Sequence, residues 1–188
     1  MPRLDPLPRE QVDPLLKPVI AQAQERLPQF MNQILTLAHH PQIARDLVTL
    51  YLGFLDHSRV ERRLIELAVL TVSYLNRCNY CVSHHTPLAT ATGLSQEALM
   101  DLEAGRGPES PHLSEVEKLV VAYATHVTVD ARRTPRSLVE ALKEHLDDAQ
   151  LVELTIRIGL ANFFNRLNDA LQIEIEEGVT PLLTRTTA

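Results

Sequence analysis

The stretch "LIELAVLTVSYLNRCNYCVSHH", Leu64 to His85, decides how the rest of this chain is read. Its first half, Leu64 to Leu75, is the longest nearly unbroken apolar run, interrupted by Glu66, Thr71 and Ser73. That run is far too short to cross a bilayer. Its second half holds both cysteines of the chain, Cys78 and Cys81, and two of the eight histidines, His84 and His85.

Working outward, the apolar periodicity is helical almost throughout, with no run of alternating β-branched residues. The spacing predicts helices near 14–26, 28–38, 42–55, 59–75, 79–92, 95–104, 115–129, 136–146 and 148–172, the last broken near Asn165. Ser58 with Glu61 and Ser114 with Glu117 read as capping boxes, and Thr134-Pro135 as an N-cap and first helical residue. Gly93 and Gly105 fall where helices should end. "AGRGPESP", Ala104 to Pro111, is the best loop, and the tail after Gly178 is expected to be loose. The fold class is therefore all-α, with eight or nine helices. "LIEL…LNRCN" at 64–79 is echoed by "LVEL…FNRLN" at 151–168, a hint of two related helical hairpins of which only the first carries cysteines.

A chain of 188 residues with 45% apolar and 22% charged residues supports one domain, 1–188, with a full core; residues 1–40 form a helical extension. The net charge of −6 and the lack of a dense Lys/Arg cluster argue against a nucleic-acid partner. "MPRLDPLPREQVDPLLKP" places prolines and charges where a signal peptide needs an apolar core, so a cytoplasmic protein without a membrane partner is expected. In that reducing compartment a lone cysteine pair is more often catalytic or metal-binding than a structural staple.

On a helix running from Cys78 to Thr92, Cys81 lies about −60° and His85 about −20° round from Cys78, so the three share a face. His85 is four residues after Cys81, the separation at which it can take the thiol proton directly or through one water. His84 is further round but still an i+3 neighbour of Cys81. A thiolate near a helix N-terminus is favoured by the dipole, and a C-x-x-C dithiol can close to a disulfide once one sulfur is oxidised. Two other readings fit the spacing. Cys78, Cys81 and His85 could ligate zinc, with His126 or His112 as a fourth ligand, or the cysteines could be small apolar core residues. Glu66 is similarly open. A carboxylate in the apolar "LIELAVL" would have its pKa raised toward a useful general base, whereas Arg62 or Arg63 could hold it as an exposed ion pair, the reading local evidence favours.

The pattern Glu66, eleven residues, Cys78-x-x-Cys81, three residues, His85 resembles the active-site signature of the alkylhydroperoxidase AhpD / carboxymuconolactone decarboxylase family. The resemblance runs over roughly residues 45 to 175, including "LSEVEKLVVAYA" and "NFFNRLNDAL". It implies a thiol-dependent hydroperoxide reductase in which Cys81 attacks, Cys78 resolves it as a disulfide, and His85 with Glu66 relays the proton. It further implies an external dithiol, thioredoxin-like or lipoyl, as reductant, no cofactor, and a homo-oligomer of three or more subunits. AhpD has a histidine where this chain has Tyr80, the residue more usual in the peroxidase-related branch, so Tyr80 and His84 are read as supporting residues. The decarboxylase branch usually lacks the cysteine pair. A dithiol–disulfide oxidoreductase without peroxidase activity, or a metal-binding or purely oligomeric helical module, are the alternatives. The polar stripe Asn162, Asn165, Arg166 and Asp169 lines a pocket, a subunit contact or solvent.

The redox reading carries a direct test. Mild peroxide treatment is expected to give an intramolecular Cys78–Cys81 disulfide, seen as a loss of two hydrogens in intact mass; an unchanged mass counts against it.

Overall fold

The computed structural model describes residues 2–183. Among them are nine α-helices and no strand: α1 (Lys17–Arg26), α2 (Met31–Leu37), α3 (Pro41–His57), α4 (Arg62–Leu75), α5 (Asn79–Ala91), α6 (Gln96–Glu103), α7 (Glu115–Asp130), α8 (Arg136–Lys143) and α9 (Asp148–Leu171). The expected 14–26 and 28–38 each split, because a proline-led 3-10 turn at Pro14–Leu16 and another at Pro28–Phe30 precede α1 and α2. No described helix is long and apolar enough to cross a membrane.

The chain forms two compact units. Of the described residues, unit 1 comprises 2–58 and 167–181. Within it α3 packs against α1 and α2, burying Ile20, Ala23, Ile34, Ala44, Val48 and Leu52. Of the described residues, unit 2 comprises 59–166 and 182–183 and holds every residue of the candidate site. Its axis is α4, where Leu64 through Ser73 are all buried. A helix apolar on every face is stable only if neighbours cover it all round, and α5, α6 and α7 do so. The core they share includes Leu67, Leu70, Val72, Val120, Leu154 and Ile158.

Helix ends explain the rest of the unit. The Ser114–Glu117 capping box forms, with the Glu117 carboxylate accepting the Ser114 N–H at 2.7 Å. The Ser58–Glu61 box does not: Ser58 caps the end of α3 instead, and α4 starts at Arg62 after Glu61. Thr134 is not a cap either, since its hydroxyl donates to the Ala131 carbonyl and Pro135 precedes α8. Gly93 and Gly105 close α5 and α6 in the left-handed conformation, at φ 88° and 72°. In each, the following residue's N–H reaches back to the helix, Leu94 to Ala89 and Arg106 to Asp101, the double closure of a Schellman motif.

Two of the loop expectations change. α9 runs unbroken through Asn165, because that side chain is paired rather than turning back on its own backbone. The tail after Gly178 is tied down over its described part, where the Leu182 N–H donates to Ser83 Oγ and the Leu183 N–H to Asn79 Oδ1; residues 184–188 lie outside the described residues.

Gly107 sits inside the expected loop yet is buried, and a Cβ there would lie 2.7 Å from Val121 Cγ1 and 2.9 Å from Leu102 Cδ2. Gly107→Ala is therefore expected to lower stability by about 1–3 kcal/mol through overpacking. A lower denaturant midpoint with an unchanged m-value checks this.

Candidate active site

The site is built on the α4–α5 reversal. A straight helix would hold Glu66 and Cys78 about 18 Å apart, so the chain must fold back between them. Asn76 ends α4 in a right-handed conformation and Arg77 takes the left-handed one, φ 55°. The Cys78 N–H then donates to the Ser73 carbonyl at 3.0 Å, and the Arg77 N–H to Tyr74 at 3.1 Å. This is the same closure glycine provides at 93 and 105, made here by a residue with a Cβ, at a cost of about 1 kcal/mol or more.

Cys78 becomes the N-cap residue of α5, and Val82 donates the first intrahelical bond to its carbonyl at 3.0 Å. Cys81 then lies in the first turn, where backbone N–H groups and the helix dipole favour a negative sulfur. Neither cysteine is in a disulfide, and both are buried, Cys78 at 0% and Cys81 at 5% exposure.

His85 stands one turn beyond Cys81 and meets Glu66 of α4 through Nδ1, 2.8 Å from Glu66 Oε2, with both side chains buried. A carboxylate accepts, so Nδ1 carries the proton, and Nε2 holds the lone pair whenever the ring is neutral. Burial pushes the Glu66 carboxyl up, but His85, with Arg62 and Arg157 beside it, outweighs burial and holds it below the ordinary glutamate range. The expected upward shift is thus reversed: Glu66 is an ionised anchor for the ring. Nor is it an exposed ion pair. Arg62 approaches Oε1 only at 3.6 Å and is largely solvated, while Arg63 binds Glu117 instead.

His84, the neighbouring imidazole, is also buried. Its Nδ1 donates to the Tyr80 carbonyl at 2.6 Å, and the two rings stack with centroids 4.2 Å apart. Tyr80 and His84 form one rigid plate on α5. Among the described residues no three His, Cys, Asp or Glu side chains are grouped to hold a metal ion, so the zinc reading with His112 or His126 finds no donor set.

What sequence reasoning missed lies on α9. Asn165 is completely buried: its Nδ2 donates to Ser73 Oγ at 3.2 Å and its Oδ1 accepts from Asn76 Nδ2 at 2.9 Å. Asn76 Nδ2 also reaches Asn162 Oδ1 at 3.0 Å, and Asn162 Nδ2 donates to Thr128 Oγ1. Arg166 and Asp169 are exposed, so the stripe is not one environment. The i, i+3 repeat was visible; only the contact with the α4 end separates its buried half from its solvated half.

A dithiol at a helix start, a buried histidine tied to a carboxylate, and an all-α core define an AhpD-like protein. The comparisons agree. Residues 41–109 match the carboxymuconolactone decarboxylase family model. The chain is 30% identical to the uncharacterized protein YnjA of Escherichia coli over 130 residues, 68% of this chain and 70% of that one. It is also 29% identical to the uncharacterized protein YdfG of Bacillus subtilis over 119 residues, 63% of this chain and 80% of that one. The chain belongs to the carboxymuconolactone decarboxylase family, in its AhpD-like form. Among solved structures, a protein of unknown function from Agrobacterium tumefaciens, named for AhpD-type antioxidant defence, is 27% identical with a TM-score of 0.66, covering 74% of this chain and 94% of that one. The apo debrominase Bmp8 shares the fold at 24% identity and a TM-score of 0.76, covering 93% and 92%. So does a peroxidase-related protein from Silicibacter sp., at 20% identity and 0.75, covering 95% and 91%.

The lowered Glu66 value has a stability consequence. A carboxyl depressed in the folded state stabilises fully above its unfolded value, about 4.3, and loses that contribution as pH falls through the folded one. Glu66→Gln is therefore expected to flatten the acid side of the stability–pH profile below about pH 4.3, leaving the share due to Glu117, which is lowered too because Arg63 and Ser114 outweigh its burial. Chemical denaturation between pH 3 and 6 measures the difference; parallel profiles would contradict it.

Proposed function

We propose that the protein reduces hydroperoxides through a Cys81/Cys78 dithiol cycle. The observation that carries this reading is the 2.8 Å His85–Glu66 contact one turn beyond Cys81, which leaves Nε2 as the basic nitrogen. Nε2 takes the Cys81 proton, and the ionised Glu66 holds the imidazolium that results. The Cys81 thiolate attacks the hydroperoxide, the O–O bond breaks, and sulfur is oxidised to a sulfenic acid. The leaving alkoxide receives the proton from His85 and departs as alcohol. The Cys78 sulfur then displaces hydroxide from the sulfenic sulfur as water, forming the disulfide. An external dithiol, thioredoxin-like or lipoyl, returns two electrons and two protons.

Burial of both sulfurs supports a small oxidant as the first reactant. The likeness to Bmp8 is one of fold and brings no halogenated substrate to this chain. A homo-oligomer in the cytoplasm remains part of the proposal.

Cys81→Ser is expected to abolish peroxide consumption with a generic dithiol. Cys78→Ser should still react once and then hold Cys81 as sulfenic or sulfinic acid, identified by mass and by a sulfenate trap. Reversed behaviour would make Cys78 the attacking thiol. Glu66→Gln should stay folded and react at least about 10-fold more slowly near neutral pH, within the usual span of general-base effects; wild-type kinetics would remove Glu66 from the mechanism.

A further inference from the structure

The reversal that delivers Cys78 is held from outside by the buried Asn165, with Asn162 beside it. Asn165 grips both ends of the last turn of α4: Ser73 through its hydroxyl and Asn76 through its amide. The carbonyl of that same Ser73 accepts the Cys78 N–H, and Asn76 is the residue before the left-handed Arg77. A non-glycine residue persists in that conformation only where its surroundings over-determine it. Here the surroundings are this clamp, with Asn162 as a second acceptor for Asn76. Ser73 is further fixed because its hydroxyl donates to the Val69 carbonyl at 2.7 Å.

We infer that Asn165, acting through Asn76 and Ser73, is a positioning residue for Cys78 that sets how readily the Cys78–Cys81 disulfide closes. The inference deepens the dithiol reading above and rests on it for the roles of the two sulfurs. Its physics is effective concentration. The left-handed Arg77 brings the Cys78 N–H onto the Ser73 carbonyl, and that bond fixes the Cys78 backbone torsions and so the direction of its side chain relative to α5; relaxation of Arg77 toward negative φ breaks it. Asn165 makes its hydrogen bonds to Ser73 and Asn76, and the Glu66–His85 pair is built on other atoms. Loss of the clamp should therefore slow condensation while leaving the first oxidation of Cys81 intact.

The balance of the step is unchanged: the Cys78 S–H and the Cys81 sulfenic acid give the S–S bond and water. What Asn165 alters is the equilibrium and rate of that closure. Removing the strain at Arg77 should remove the need for the clamp, because glycine enters the left-handed region without the Cβ penalty. This gives the inference a readout that a merely structural role would not move.

The test compares wild type, Asn165→Leu, Arg77→Gly and the Asn165→Leu/Arg77→Gly double variant. Each is equilibrated in dithiothreitol redox buffers, and each is reacted with hydrogen peroxide while the sulfenic and disulfide forms are followed by quenched mass spectrometry. Asn165→Leu is expected to make the disulfide about tenfold less stable, a rise of about 30 mV in potential. It should also slow condensation about tenfold while Cys81 oxidation stays within about twofold, and the added Arg77→Gly should recover most of both losses. An unchanged disulfide equilibrium in folded Asn165→Leu, equal slowing of both steps, or no recovery in the double variant would overturn it. Should Asn165→Leu fail to fold, Asn76→Ala breaks the same grip and is judged by the same outcomes. The redox-buffer arm needs no peroxide. A wild type that forms the disulfide but consumes no peroxide sinks the peroxidase reading alone.

Discussion

The hydrogen bond from the Cys78 N–H to the Ser73 carbonyl is the constraint on which the site depends. It closes the turn that brings α5 back along α4, and so lets Glu66 meet His85 although nearly a whole helix separates them in the chain. The same turn makes Cys78 the N-cap of α5 and places Cys81 in its first turn, where a thiolate is favoured. Each of these placements follows from one reversal. Its cost falls on Arg77, the residue whose backbone does what glycine does at the ends of α5 and α6.

Much of this was legible in the sequence. The helices are legible because α4, buried on every face, reads as one apolar run, while α3 buries the single stripe Ala44, Val48 and Leu52 and its period reports that burial directly. Gly93, Gly105 and the Ser114–Glu117 box mark helix ends by local chemistry, and local chemistry is what sequence records. The failures share a cause. Ser58 and Glu61 have the spacing of a cap, but α3 extends to His57 and claims Ser58 as its own end. Asn165 looks like a helix breaker until its side chain is paired with Ser73 and Asn76, groups some ninety positions away.

The candidate site divides along the same line. Cys81 and His85 lie on one helix, so their relation could be computed from spacing alone, whereas Cys78 caps that helix with an extended backbone instead of belonging to it. Glu66 needed the resemblance, and its electrostatics needed the structure. Burial alone argues for a raised pKa, but the contact with His85 and the nearby Arg62 and Arg157 reverse the sign. An ionised glutamate cannot accept the thiol proton and keep its anchoring role at once. It is better matched to fixing the imidazole tautomer, which in the proposed cycle leaves His85 as the base.

The tautomer of His85 tests this account most directly. Long-range nitrogen–proton correlation spectra of the reduced, nitrogen-15-labelled protein report which ring nitrogen holds the proton in the neutral imidazole. The account predicts Nδ1, held by Glu66, with Nε2 bare. A neutral ring protonated on Nε2 would contradict it, because in the proposed cycle the nitrogen that takes the Cys81 proton would then have no lone pair to offer.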